Sequence, residues 1–68
     1  MKLELILQYH ALIKAEQERR GKLLSLIDMG VVIKKNSKIT VIEIINQLIS
    51  MELVETIPFG NKNKYRMV

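Results

Sequence analysis

The chain has no cysteine and no tryptophan, one proline, one histidine and three glycines. Without cysteine it has neither disulfides nor a thiolate metal site. The lone histidine, His10, does not build a metal site by itself. No apolar run approaches the ~18 residues of a membrane-spanning helix. Lys2 followed by LELIL begins like a secretory signal, but Glu4 interrupts the apolar stretch and no small-residue cleavage site follows. The expectation is an intracellular, cytoplasmic protein. Nothing in the order of residues argues for a Ser–His–acid triad or a catalytic carboxylate pair. Gly60 alone is no phosphate cradle, since a nucleotide loop needs several glycines at fixed spacing before a helix. The sequence therefore offers no enzyme and implies no cofactor. Linkers, repeats and low-complexity tracts are also missing, so residues 1–68 read as a single domain.

What is present is aliphatic and basic. Hydrophobic residues make up 49% of the chain, mean hydropathy is +0.12, and four methionines are scattered at Met1, Met29, Met51 and Met67, where core filling explains them. A chain this short buries only about 60% of its unfolded surface, and small apolar domains often complete their cores against a second copy. The net charge of +4 and isoelectric point near 9.6 favour an anionic partner.

The most informative stretch is TVIEIINQLISMELV, residues 40–54. Val41, Ile44, Ile45 and Leu48 follow the i, i+3, i+4, i+7 spacing of one helix face, while Glu43, Asn46, Gln47 and Ser50 follow it on the opposite face. Thr40, or Ser37 before it, can cap the start. Ile42 and Ile49 fall off the central apolar stripe and face outward.

Residues 2–18 predict a helix with Leu3, Ile6, Leu7, His10 and Ile13 on its inner face; His10 reads as a partly buried core residue. Leu5, Tyr9 and Leu12 form a second stripe, displaced around the helix and free to pair with another copy. Glu16 and Glu18 lie beside Arg19 and Arg20 as solvated partners. A break near Gly21 divides residues 2–29 into two helices; one long helix is the alternative, although Gln17 and Arg20 would then stand at its apolar seam. KLLSLIDM, residues 22–29, predicts a short second helix in which Leu23, Leu24, Leu26 and Ile27 pack on the first, stopped by a left-handed Gly30. VVI, residues 31–33, reads as a short strand and KKNSK, residues 34–38, as an exposed basic loop. VETIPF, GNKN and KYRMV have the pattern of a β-hairpin, with Gly60 and Asn61 tolerating positive φ and Pro58 on an edge or at a strand end. The fold class is mostly α with a C-terminal β-hairpin.

Over residues 39–68 the chain resembles the winged helix-turn-helix family of DNA-binding domains. The resemblance is carried by Thr40, Val41, Ile44-Ile45, Leu48, the Glu52-Leu53-Val54 step, the charged tip GNKNK and the closing Tyr65. It implies that the central helix enters a major groove of duplex DNA, with Thr40, Ile42, Glu43, Asn46 and Gln47 facing the bases. Of these, Thr40, Asn46 and Gln47 would read them. The hairpin, or wing, would meet the DNA through Lys62, Asn63, Lys64 and Arg66, and Lys34, Lys35 and Lys38 would meet phosphates. The function implied is transcription or replication control by a homodimer paired through Leu5, Tyr9 and Leu12. Ile42, Glu43 and Glu52 depart from the family pattern, which has a small polar, a basic and a glycine residue there. With Ile49, they make the reading face more apolar and leave an alternative, a winged helix reused for protein contact through Ile42 and Ile49, as a subunit or inhibitor of a nucleic-acid machine.

Overall fold

The computed structural model describes residues 2–68 and places three helices before an antiparallel hairpin. The elements are α1 (Leu3–Arg20), α2 (Leu26–Val32), α3 (Lys38–Ser50), β1 (Val54–Phe59) and β2 (Lys62–Met67). Residues 2–29 thus hold two helices. Gly21 adopts φ 65° and its N–H closes α1 on the Gln17 carbonyl at 2.8 Å. A left-handed residue costs glycine little, so the chain turns there.

The inner face of α1 is centred on Ile6, Tyr9 and Ile13, all buried. Leu3 and Leu7, expected inside, are exposed, and Tyr9, expected on the outward stripe, is only 8% exposed. The rotation follows from what bounds that face. On one flank His10 Nε2 contacts the Leu53 carbonyl at 3.0 Å, and the Gln17 side chain accepts from Met67 N–H at 2.7 Å. At the C-terminal end of the same face Arg20 reaches Asp28 of α2 at 3.3 Å. The hairpin base and α2 therefore both meet the face of Ile6, Tyr9 and Ile13, which leaves Leu3 and Leu7 outside.

The second helix begins later and runs further than residues 22–29. Ser25 and Asp28 form a reciprocal capping box: Ser25 Oγ accepts from Asp28 N–H at 3.2 Å and Asp28 Oδ2 accepts from Ser25 N–H at 3.1 Å. Gly30 lies inside this helix and does not stop it, and Val31 and Val32 are helical, not a strand. Close packing explains the glycine. A Cβ there would stand 3.1 Å from the Lys35 carbonyl oxygen and 3.4 Å from Val41 Cγ2. The helix ends at a Schellman motif with Lys34 at φ 58°; Lys34 N–H reaches the Val31 carbonyl at 3.2 Å and Lys35 N–H the Gly30 carbonyl at 2.9 Å.

Ser37, not Thr40, caps α3, its hydroxyl accepting from Thr40 N–H at 3.3 Å. Val41, Ile44, Ile45 and Leu48 are buried as the spacing predicts. A second Schellman motif ends this helix. Glu52 takes φ 59°, with Glu52 N–H on the Ile49 carbonyl at 3.0 Å and Leu53 N–H on the Leu48 carbonyl at 2.9 Å. Both C-terminal turns thus place a non-glycine residue where glycine is usual.

The core is fully closed at Ile6, Ile13, Leu24, Met29, Ile44 and Leu48, with Val54 and Met67 sealing the hairpin side. Met51 packs against it half-buried; Met1 lies outside the described residues. The hairpin register runs from Val54↔Met67 to Phe59↔Lys62 across a two-residue turn. Only Gly60 of that turn has positive φ, 65°, so Asn61 needs no left-handed conformation. Among the described residues β1 pairs only with β2, and Pro58 stands on this edge strand. Leu24 and Tyr65 exchange backbone hydrogen bonds of 3.1 and 2.8 Å, tying the α1–α2 connection to the hairpin as a one-residue third strand.

Candidate functional site

The loop after α2 and the hairpin tip lie far apart in sequence but face one another in space. Between them is an open groove of about 1280 Å³. Lys34, Lys35 and Lys38 line one side and Lys62, Asn63 and Lys64 the other, with Asn36 and Asn61 beside them. No carboxylate lines it. The fold makes this juxtaposition in two steps. The Schellman turn throws residues 34–38 outward from α2, and the antiparallel return after α3 carries the hairpin tip back toward the start of that helix.

The walls of the groove are apolar. Ile27 and Val31, one helical turn apart on α2, are 76% and 68% exposed, and Phe59 at the hairpin tip is 60% exposed. Ile27 is therefore on the outside, contrary to the expectation that it packs on α1. Lys64 Nζ stands 4.6 Å from the centre of the Phe59 ring, and Lys35 Nζ stands 6.0 Å from that of Tyr9. At these distances the ammonium feels the negative ring face, so the aromatic rings hold two of the cations without neutralising them.

The ion pairs among the described residues all use arginine. Arg19 and Arg20 converge on Glu16, Arg20 also meets Asp28, and Arg66 meets Glu55 across the hairpin at 2.7 Å. Hydrogen bonds from Arg19 and Arg20 hold the Glu16 carboxyl well below its ordinary value, at about 2. The Asp28 carboxyl is also lowered, chiefly by the N–H of Ser25. None of the groove lysines takes part in these pairs.

Of the sequence-predicted DNA contacts, the groove gathers Lys34, Lys35, Lys38, Lys62, Asn63 and Lys64. Arg66 does not join them: it is bound to Glu55 and borders Gln17, Gly21 and Lys22 near the end of α1. Thr40, Asn46 and Gln47 lie on α3 outside the groove; Asn46 is exposed, and the other two are half-buried. Ile42 and Ile49 are 38% and 42% exposed on α3 and do not line the groove either. Of the stripe assigned to a dimer, Leu5 and Leu12 are exposed at 36% and 51%, but Tyr9 belongs to the core. Sequence reasoning missed Ile27, Val31 and Phe59. The first two carried an i, i+4 signal that was hidden while the second helix was framed as residues 22–29.

Among the described residues no three His, Cys, Asp or Glu side chains could hold a metal ion together. No helix among the described residues is long and apolar enough to cross a membrane. No protein-family model, curated protein or solved structure matches the chain.

Proposed function

We propose that this chain is a winged helix-turn-helix protein that binds duplex DNA, with the hairpin as the wing and α3 as the reading helix, in transcription or replication control. One observation carries the reading. Five lysines from two separate segments converge on one groove beside the start of α3, without a carboxylate among them. Lysines left free in this way suit phosphates, which supply most of the affinity for duplex DNA. Lys34, Lys35 and Lys38 would dock one strand and Lys62 and Lys64 the next stretch of backbone. Asn46, exposed on α3, is the best-placed reader, because an amide can pair bidentately with adenine. Thr40 and Gln47 stand together further round the helix and would complete the reading face. Leu5 and Leu12 would pair two copies and set two reading helices on a dyad, matching half-sites about one DNA turn apart.

Protein contact through Ile42 and Ile49 is less favoured, because other apolar side chains are more exposed than these two. The test of the DNA reading separates anchor from reader. Replacing Lys62 and Lys64 together by Ala should weaken binding to all duplex sequences about equally, since phosphates carry no base information. Asn46→Ala should instead lose about 1–3 kcal/mol of discrimination at one base pair. The assignment is reversed if the wing variant changes sequence preference while the helix variant does not.

A further inference from the structure

Phosphate binding accounts for the lysines of the groove and leaves its walls unexplained. Ile27, Val31 and Phe59 are among the most exposed large apolar side chains of the described residues, and all three face the same space. Single exposed apolar residues are ordinary; three from two elements around one concavity are not. The volume, about 1280 Å³, is above the range of roughly 300–1,000 Å³ typical of small-molecule sites. It suits a segment of a macromolecule.

We propose that the groove between α2 and the hairpin tip docks an acidic amphipathic helix of a partner protein. The apolar stripe of such a helix would cover Ile27, Val31 and Phe59, and its carboxylates would meet the lysines on both rims. The recognition chemistry is that of a helix laid in a groove, read by side chains at i, i+3, i+4 and i+7. The complementarity is specific in sign, because the groove presents five ammonium groups and no carboxylate. A duplex backbone would satisfy the charge, but its phosphates and sugars offer little apolar surface to cover the walls. An anionic membrane surface would need the apolar side chains to protrude from a convex face, whereas these line a concave one. The inference stands whether or not the lysines also meet DNA. If both ligands bind, they share lysines and exclude one another.

The experiment uses the full chain and a fluorescein-labelled synthetic peptide of about four helical turns. The peptide carries leucine at i, i+3, i+4 and i+7 and glutamate elsewhere; a scrambled peptide of the same composition has no stripe. Anisotropy titrations at about 150 mM salt suppress purely long-range attraction. The expected result is at least about tenfold tighter binding of the striped peptide, lost by a similar factor in the Ile27→Ser, Val31→Ser double variant, with duplex DNA binding unchanged within about twofold. Both side chains are largely solvent-exposed, so the variant should fold; circular dichroism checks this. Phe59→Ser, on the opposite wall, repeats the test if it does not. Equal binding of the two peptides, or no binding of either, overturns the proposal. So does a parallel loss of DNA affinity in the serine variants, which would assign the walls to the nucleic-acid interface. Binding to phosphatidylserine vesicles that depends on Ile27 and Val31, without peptide binding, would overturn it in favour of a membrane surface.

Discussion

The end of α1 and the groove are both basic, and they use their charge in opposite ways. At the end of α1, Arg19 and Arg20 fork onto Glu16, and Arg20 continues to Asp28. Arg66 meets Glu55 through a single contact of 2.7 Å on the hairpin surface. These guanidinium groups all meet carboxylates of the chain itself, and the Arg20–Asp28 pair joins α1 to α2. In the groove, five lysines stand together without a carboxylate. The lesson is that net charge says little until the acids are located. The chain has eleven basic and seven acidic residues, and the +4 difference is not spread over the surface. Guanidinium suits phosphate as well as carboxylate, so it is the neighbouring acids that withhold these arginines.

Two helix ends are built alike. Lys34 and Glu52 occupy equivalent positions of two Schellman turns, at φ 58° and 59°. Each pays a conformational penalty that glycine would avoid. Lys34→Gly and Glu52→Gly should therefore each stabilise the fold by about 0.5–1 kcal/mol in denaturant titrations. Only Lys34→Gly should also weaken duplex binding, since only Lys34 projects a charge into the groove. Equal binding by both variants would mean that the charge at Lys34 serves nothing outside the fold.

A smaller effect comes from acid. Glu16 has its carboxyl lowered from 4.5 to about 2 by Arg19 and Arg20. A folded-state value below the unfolded one stabilises the native state above the unfolded value. That contribution should be lost as pH falls from about 4.5 toward 2. It is modest, because Arg19 is largely solvent-exposed and such pairs are screened. Thermal melts of the wild type and Glu16→Gln at pH 6 and pH 3 would check it: the difference between them should shrink at the lower pH. A difference that stays constant would show that Glu16 stabilises through packing and not through charge.

The helical order and the hairpin were legible because their signals are local. Val41, Ile44, Ile45 and Leu48 keep one period, and two strand-forming stretches, Val54–Phe59 and Lys62–Met67, flank a Gly60-Asn61 turn. The second helix was misframed because its strongest apolar run, Leu23 to Ile27, straddles the point where the chain changes role. Leu24 is a bridge residue against Tyr65, Ser25 is the cap, and only then does the helix begin. Gly30 reads as a stop because local sequence does not reveal that the Lys35 carbonyl and Val41 press on it. Tyr9 was placed outside for the same reason: His10 and Gln17 set the rotation of α1 through bonds to residues 53 and 67. In the candidate site, the basic segments were readable as lysines, but their convergence is tertiary. Arg66 is set apart from Lys64 by its cross-strand neighbour, Glu55 opposite Arg66 and Ile57 opposite Lys64.

The central claim is that the groove lysines are free to neutralise phosphate while the arginines are not. Duplex binding measured against salt tests it most directly. With four to five lysines engaged per protomer and about −0.9 contributed by each phosphate, the log–log slope should lie near −4. Affinity should then fall on the order of a hundredfold or more between about 50 and 200 mM salt, and Lys62→Ala with Lys64→Ala should make the slope shallower by about 2. A slope near zero, or no binding to mixed-sequence duplex at low salt, would contradict the account.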